Sequence, residues 1–478
     1  MPDIRRTRLA VRVTVASALT AFAVTAPGTP STAVPAPGDA TRAAATWLAA
    51  EFADGALPGP FGGQDWGLTI DGLLALTAAD VAGQTRQAAA AQLAAHVTSY
   101  TTYDDYGIPG FTDGGATAKL LFAAAAVAGA DPTDFGGHDL HARTLDLIAG
   151  AGDQAGRILS RTTPDTGPDA SNTFDQSFAV LGLARTGQVP QTAVDFLIRQ
   201  QCAVGGFRLY PDVAGAPSPS CDAQTDAPLD VDTTAMAVQA LLAAADDGSV
   251  GAADAARRGA DWLAAQQHAD GSFGGSGPTS GANANSTGLA GQALGAAGRR
   301  TPADRAGGAL VALQLTTAGG GAASADAGAV AYSTEALTAA LTDGISDTGR
   351  DQWRRATSQA LLGLAGTPLG RIGLDPPSSP EPTGSPTGSP SPSGSPSIPP
   401  TPSPTPSATG SPSTTAGPGT PTPSAGPTGT PTPSAGPTAG GSGRLPTTGA
   451  AITGYALVAL LLIGGGAVLL VLSRRRTG

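Results

Sequence analysis

The chain has 478 residues, enough for two or three ordinary domains, but 67 Gly and 41 Pro spread unevenly along it shorten the part that can form a core. Its formal net charge is −11 and its only lysine is Lys119, the remaining basic residues being Arg. No clustered basic stripe runs through the middle of the chain, which argues against nucleic acid as a partner, since affinity for a phosphate backbone comes mainly from grouped Lys and Arg.

Arg5, Arg6, Arg8 and Arg12 precede an apolar stretch from Val13 to Ala26, in which Ala21 and Ala23 offer an A-x-A cleavage site. A basic start, a short apolar run and small residues predict a secretory signal peptide over residues 1–26, with a Pro, Ser and Thr linker over 27–39.

Residues 40–375 read as one domain built from an internal repeat. Six copies each carry an Ala-rich amphipathic segment, a Gly-containing turn, and an Asp or Asn that opens a second segment of small apolar residues. The opening residues are Asp65, Asp113, Asn172, Asp230, Asn283 and Asp326, and four positions later stand Thr69, Thr117, Thr234 and Thr287. First segments with one polar face, such as that around Asp261-Trp262-Leu263, predict outer helices; second segments such as 233–245 predict inner helices buried all round. Twelve helices in six hairpins predict an all-α fold, an α/α toroid in which six inner-helix N-termini converge on one mouth. The six opening residues are then expected to be N-caps, each worth about 1 kcal/mol. That role suits a residue recurring in every copy better than catalysis does. Two positions after the opening residue the copies carry Gly67, Gly115, Phe174, Asp232, Asn285 and Gly328, so Asp232 is the one acid at that place.

Cys202 and Cys221 flank 18 residues between the outer and inner segments of the fourth copy. In an exported chain two such cysteines predict a disulfide, worth about 3 kcal/mol by loop closure.

The runs Trp262-Leu263, Gln266-Gln267, Asp270-Gly271-Ser272-Phe273-Gly274-Gly275 and Asp230-Val231-Asp232-Thr233-Thr234-Ala235 resemble the six-hairpin barrel of the prenyltransferase and squalene-cyclase repeat superfamily. Class II terpene cyclases of that superfamily carry D-x-D-D-T-A, whose central Asp protonates an alkene. Asp230, Asp232, Thr234 and Ala235 match it, but Thr233 replaces the third Asp. Protein prenyltransferases hold zinc through an Asp, a Cys and a His; here Asp232 stands at the Cys position, and His268 sits at an outer-helix end. No metal site and no cofactor are therefore expected. Glu51 and Glu335 are the only Glu of the repeat domain, so a glycan-acting barrel would need Asp in both acid and base roles.

From 376 to 444 the composition turns to Pro, Ser, Thr and Gly, and the decapeptide GTPTPSAGPT occurs at 419 and 429. Such a stretch forms no core; in extended polyproline conformation at about 3.1 Å per residue it makes a wall-spanning stalk. Then come Leu445, Pro446, Thr447, Thr448 and Gly449, an uncharged apolar run over 451–472, and a basic tail over 473–478 with Arg474, Arg475 and Arg476. The run is long enough to cross a bilayer with its basic end inside. This order resembles the LPxTG cell-wall sorting signal of Gram-positive bacteria. The resemblance implies that a sortase cleaves between Thr448 and Gly449 and joins Thr448 to a peptidoglycan cross-bridge, the chain being a single-pass membrane protein only until then.

The expectation is a secreted protein, covalently attached to the wall, that displays its barrel for binding or interaction, with incomplete motifs weighing against catalysis. The ligand, whether small molecule, glycan or protein, is left open. An extracellular enzyme using the weak candidates Asp230 and Asp232, and a structural spacer with a filled interior, are the alternatives.

Overall fold

The computed structural model describes residues 37–374 apart from 188, 214, 215, 218, 219 and 225. The signal peptide, the stalk, the LPTTG pentapeptide, the apolar run and the basic tail lie outside the described residues.

The helices are α1 (Pro37–Ala50), α2 (Trp66–Ala78), α3 (Gly83–Ala95), the short α4 (Val97–Thr101), α5 (Gly114–Ala126), α6 (Leu140–Asp146), α7 (Thr173–Thr186), α8 (Gln191–Arg199), α9 (Val231–Asp246), α10 (Ala252–Gln266), α11 (Ala284–Ala296), α12 (Arg300–Ala312), α13 (Thr334–Asp343) and α14 (Arg350–Ala365). Packed side by side, α2, α5, α7, α9, α11 and α14 form an inner ring that closes where α14 meets α2. Outside it lie α1, α3, α6, α8, α10 and α12, each preceding its inner partner in the chain. The protein is an α/α toroid of six hairpins.

The inner helices are rich in Ala, Gly and Leu because they touch neighbours on every side. Leu68, Ala118, Leu181, Ala237 and Leu294 are all fully buried, and each Leu withdrawn from water contributes roughly 1.5–3 kcal/mol. Five opening residues cap inner helices by accepting first-turn N–H groups: Asp65 from Leu68 at 2.8 Å, Asp113 from Ala116 at 2.9 Å, Asn172 from Phe174 at 2.8 Å, Asp230 from Thr233 at 2.7 Å and Asn283 from Ser286 at 2.8 Å. The threonine four residues on fastens the incoming loop. Its hydroxyl donates to the cap carbonyl and accepts a loop N–H, from Leu57 on Thr69, from Phe207 on Thr234 and from Phe273 on Thr287, each at 2.9 Å. In the third copy Gln176 takes this place, accepting the Ile158 N–H at 2.8 Å and donating to the carbonyls of Gly156 and Ala193.

The sixth copy departs from the expectation. Asp326 does not cap an inner helix; it ends a 3-10 turn (Gly321–Asp326), accepts from Trp47 Nε1 at 3.1 Å and from Arg350 at 2.7 Å, and so ties α1 to α14. An additional helix, α13, intervenes and packs on that turn. The sixth inner helix is α14, and its loop-fastening residue is Thr357, which accepts from Val330 N–H at 2.9 Å. Counting back from Thr357 puts Arg355, not Gly328, at the sixth position of the layer that holds Asp232.

At the other end of the ring the segment after α14 folds across the inner helices. Thr367 donates to Ala78 and accepts from Gln292, Leu369 N–H donates to Gln239, Arg185 donates to the carbonyls of Gly370 and Ile372, and Arg371 pairs with Asp246 at 3.0 Å. Leu369 and Ile372 are buried beneath the bore. These residues lie at the end of the ring opposite the mouth.

Candidate functional site at the ring mouth

A residue and the one four positions on share a helix face, so the five loop-fastening residues, with Thr117 at the same place in α5, define successive layers lining the bore. Two positions before them stand Gly67, Gly115, Phe174, Asp232, Asn285 and Arg355; two positions after stand Asp71, Lys119, Phe178, Met236, Leu289 and Gln359. In the deeper layer the chain's one lysine is buried. Lys119 Nζ lies 2.6 Å from Asp71, donates to the Gly67 carbonyl at 3.1 Å and stands 5.7 Å from the Phe178 ring centroid. Burial still raises the Asp71 carboxyl above the usual range, outweighing the attraction of Lys119. The space left among Asp71, Phe174, Met236, Leu289 and Leu369 is about 30 Å³, room for a water molecule or two. The bore is filled.

The upper layer differs because its groups are not all matched. Arg355 is committed, pairing with Asp65 and, at 2.8 Å, with Asp351. Asp230 is saturated: one oxygen takes the Thr233 N–H and hydroxyl, the other the Ser276 hydroxyl at 2.7 Å. Asp175 closes a capping box with Asn172, and its carboxyl fills the space above Gly115, where a Cβ would lie 2.1 Å from it. That is why α5 carries glycine there. Asp232 and Asn285, at matching positions of neighbouring helices, each have a side-chain oxygen shut off from solvent and without a partner.

Burial, and then the neighbouring Asp113, push Asp175 up to about 7; burial, and then Asp230, push Asp232 up to about 7. Both groups keep a proton in the folded state through a pH range in which the unfolded chain, with its carboxyls titrating near about 4, has lost it. The folded state therefore binds more protons between about pH 4 and 7, and stability falls as pH rises through that window. Asp131, Asp270 and Glu335, lowered by hydrogen bonds from Thr133, Ser272 and Ser333, act oppositely, their contribution being lost only in acid. The expected result is a lower urea midpoint at about pH 7.5 than at about pH 5, with the decline largely removed in the Asp175→Asn/Asp232→Asn double variant. A midpoint that climbs over this interval in the parent protein would mean the two carboxyls are ionised.

Cys202 and Cys221 form a disulfide that joins the end of α8 to the long loop before α9, and Phe207 pairs with Asp230 across a short antiparallel bridge. The loops leading to the inner helices carry exposed aromatics around the mouth: Phe61, Tyr106 and Tyr210 are 78%, 76% and 51% exposed. Phe61 stands out from the rim, whereas Phe207 and Phe273 are buried. The histidines are used locally. His96 stacks on Trp66, His138 meets Arg143, His141 meets Thr186 and His268 meets Ser272. Among the described residues no three His, Cys, Asp or Glu side chains converge as a metal site would require. A larger surface cleft of about 470 Å³ lies away from the mouth, near Leu145, Pro190 and Asp247; Asp247 there accepts the Val189 N–H.

Lys119 and Arg355 were not singled out by sequence. The signal for Lys119 was its being the one lysine within an apolar helix; the signal for Arg355 was hidden by the displaced sixth copy.

Residues 437–477 match the family model described as the LPXTG cell wall anchor motif. No curated protein sequence matches the chain. Solved structures with a similar course of chain include a protein from Actinoplanes, at 17% identity and TM-score 0.47, covering 70% of this chain and 99% of that one. An unsaturated glucuronyl hydrolase from Bacillus sp. GL1, responsible for the degradation of glycosaminoglycan, is similar at 13% identity and TM-score 0.42, over 67% of this chain and 94% of that one. A protein geranylgeranyltransferase-I of Candida albicans is similar at 9% identity and TM-score 0.37, over 52% and 76%. The anchor motif makes this a secreted surface protein of the Gram-positive type, attached to the cell wall through sortase.

Proposed function

We propose that this wall-attached protein is a binding module whose ligand meets the mouth of the toroid. The observation that carries the reading is the contrast along the axis: the space deep in the bore is about 30 Å³, while the exposed aromatics Phe61, Tyr106 and Tyr210 stand around the mouth. A cyclase of polyenes needs an enclosed cavity that admits an isoprenoid chain, and the space of about 30 Å³ among Asp71, Phe174 and Met236 does not admit one. Exposed Phe and Tyr on loops held by a rigid ring suit recognition, since aromatic anchors contribute much of the energy of binding surfaces.

The test takes the protein released from walls by muramidase and passes it over an array of peptidoglycan fragments, neutral polysaccharides and basic peptides. Saturable retention on one class, weakened roughly tenfold or more in Phe61→Ala/Tyr106→Ala/Tyr210→Ala, is expected. Equal retention of parent and variant would remove the mouth from the reading, and no saturable retention would leave the ring a spacer.

A second reading, a glycan-acting enzyme, is favoured by one observation: Asp175 and Asp232 both hold protons toward neutrality, the state a general acid requires. Glycosidic turnover lost in Asp232→Asn with folding intact would move the reading there.

A further inference from the structure

We propose that the mouth seats a primary ammonium group between Asp232 on α9 and Asn285 on α11, an inference that rests on the mouth being the ligand-facing surface. Asp232 Oδ1 and Asn285 Oδ1 are both closed to solvent and both lack a hydrogen-bond partner, and Asn285 is only 7% exposed. Buried acceptors without donors are costly, the more so for a charged group. Such pairs are kept where something else supplies the donor.

The two residues occupy the same layer on adjacent helices. Ser286, next to Asn285, donates a hydrogen bond to the Asp232 carboxyl, and Tyr332 is close enough to feel its charge. The Tyr332 carbonyl accepts the Ala284 N–H at 2.8 Å, which holds this half-buried ring at the same corner.

The Ser286 hydroxyl donates to the Asp232 carboxyl but leaves Oδ1 unpartnered, and the other nearby donors are spent. Thr233 and Ser276 serve Asp230, and the Asn283 amide serves the carbonyls of Thr279 and Gly281. The cations are spent too: Arg355 on Asp65 and Asp351, Lys119 on Asp71. Asp230 adds a second carboxyl beside Asp232, and no cationic side chain is among the groups that bear on Asp232.

What is missing is therefore a donor that also carries positive charge. A ligand hydroxyl brings one donor together with acceptor lone pairs and no charge. An ammonium brings three donors and no acceptor, and a charge-assisted bond to carboxylate is roughly twice as strong as a neutral one. A divalent metal ion wants six or more oxygens or a set of acidic ligands, and the described residues offer no such cluster. An aromatic ring at the corner favours a cation further.

The probe is n-butylammonium, with butan-1-ol as its uncharged counterpart, titrated calorimetrically into the wall-released protein at about pH 6 in two buffers of different ionisation enthalpy. Saturable binding of the amine and none of the alcohol is expected, with release of up to about one proton as Asp232 ionises. Asp232→Asn should weaken the amine by on the order of 30-fold or more, the usual loss when one partner of a buried charge pair is removed. Asn285→Ala, which keeps the carboxyl, should weaken it by less and provides a second readout if Asp232→Asn melts early.

Equal binding of alcohol and amine, or unchanged amine affinity in Asp232→Asn, overturns the proposal. The second result would mean that Asp232 is simply protonated and hydrogen-bonded within the protein. If the amine fails while the aromatic rim variant still loses retention on the array, the mouth binds a ligand of another class; if both fail, the mouth is not a ligand surface.

Discussion

Replacing Thr448 with alanine should move the protein from the covalent wall fraction into the membrane fraction. The pentapeptide Leu445-Pro446-Thr447-Thr448-Gly449 lies within the stretch that matches the wall-anchor model. The LPxTG resemblance implies that the Thr448 carbonyl, released from Gly449, is the acyl group handed first to the sortase cysteine and then to the cross-bridge amine. An enzyme chooses its substrate by differential binding of the transition state, and removing a small side-chain group from a fitted pocket costs about 1–3 kcal/mol, a factor of roughly 10–200 in kcat/KM. An uncleaved chain keeps the uncharged run at 451–472, which is long enough to stay in the bilayer. Boiling cells in detergent should then extract the variant and leave the parent on the wall, from which muramidase alone releases it. A variant that resists detergent as the parent does would place the wall linkage elsewhere in the chain.

Gly288→Val should be the most damaging single substitution in the ring. A Cβ at Gly288 would lie 2.2 Å from the carbonyl oxygen of Gln359, and one at Gly363 would lie 2.8 Å from the Cα of Gly288. Here α11 and α14 touch backbone to backbone. Neither can yield locally, because α14 is held on its other side by Glu51, which pairs with Arg350 at 2.6 Å and with Arg354 at 2.8 Å, and by Asp65. Making room for a branched side chain means opening the ring at its closing seam. Overpacking costs typically about 1–3 kcal/mol, and a clash with backbone belongs at or above the top of that range. In a domain of this size that is a fall in Tm of roughly 6 °C or more. Gly308→Ala on the exposed face of α12, where a Cβ meets nothing within 4 Å, is the control and should gain up to about 1 kcal/mol from helix propensity. Equal melting of Gly288→Val and the parent would show that α11 and α14 do not meet as described.

These effects divide according to how far apart in the chain the interacting groups stand. The five caps Asp65, Asp113, Asn172, Asp230 and Asn283 were legible because a cap and its N–H lie two or three residues apart, so the signal is complete within one turn. The outer and inner helices were legible for the same reason: polarity on one face or on none is a local pattern. The sixth copy misled because Asp326 stands before a small-residue stretch as the others do, yet α13 and a loop separate it from α14. What identifies α14 as the inner helix is Thr357 meeting Val330 and Arg350 meeting Glu51, contacts across 27 and 299 positions.

The sequence by itself determined the address, through LPTTG and the apolar run after it, and the helical hairpin as the repeating unit, through spacing and caps. It also determined that the only two cysteines could pair only with each other if they paired within the chain. Only the tertiary structure decided whether the ring encloses a cavity. That depends on Lys119 finding Asp71 across a helix interface and on Leu369 returning beneath α9, neither of which leaves a mark on local pattern. Only the tertiary structure, too, decided that Asp232 and Asn285 each keep one oxygen without a partner. Caps and periodicity are energies between near neighbours in the chain, whereas a missing counter-charge becomes visible only once every helix that could have supplied it is in place.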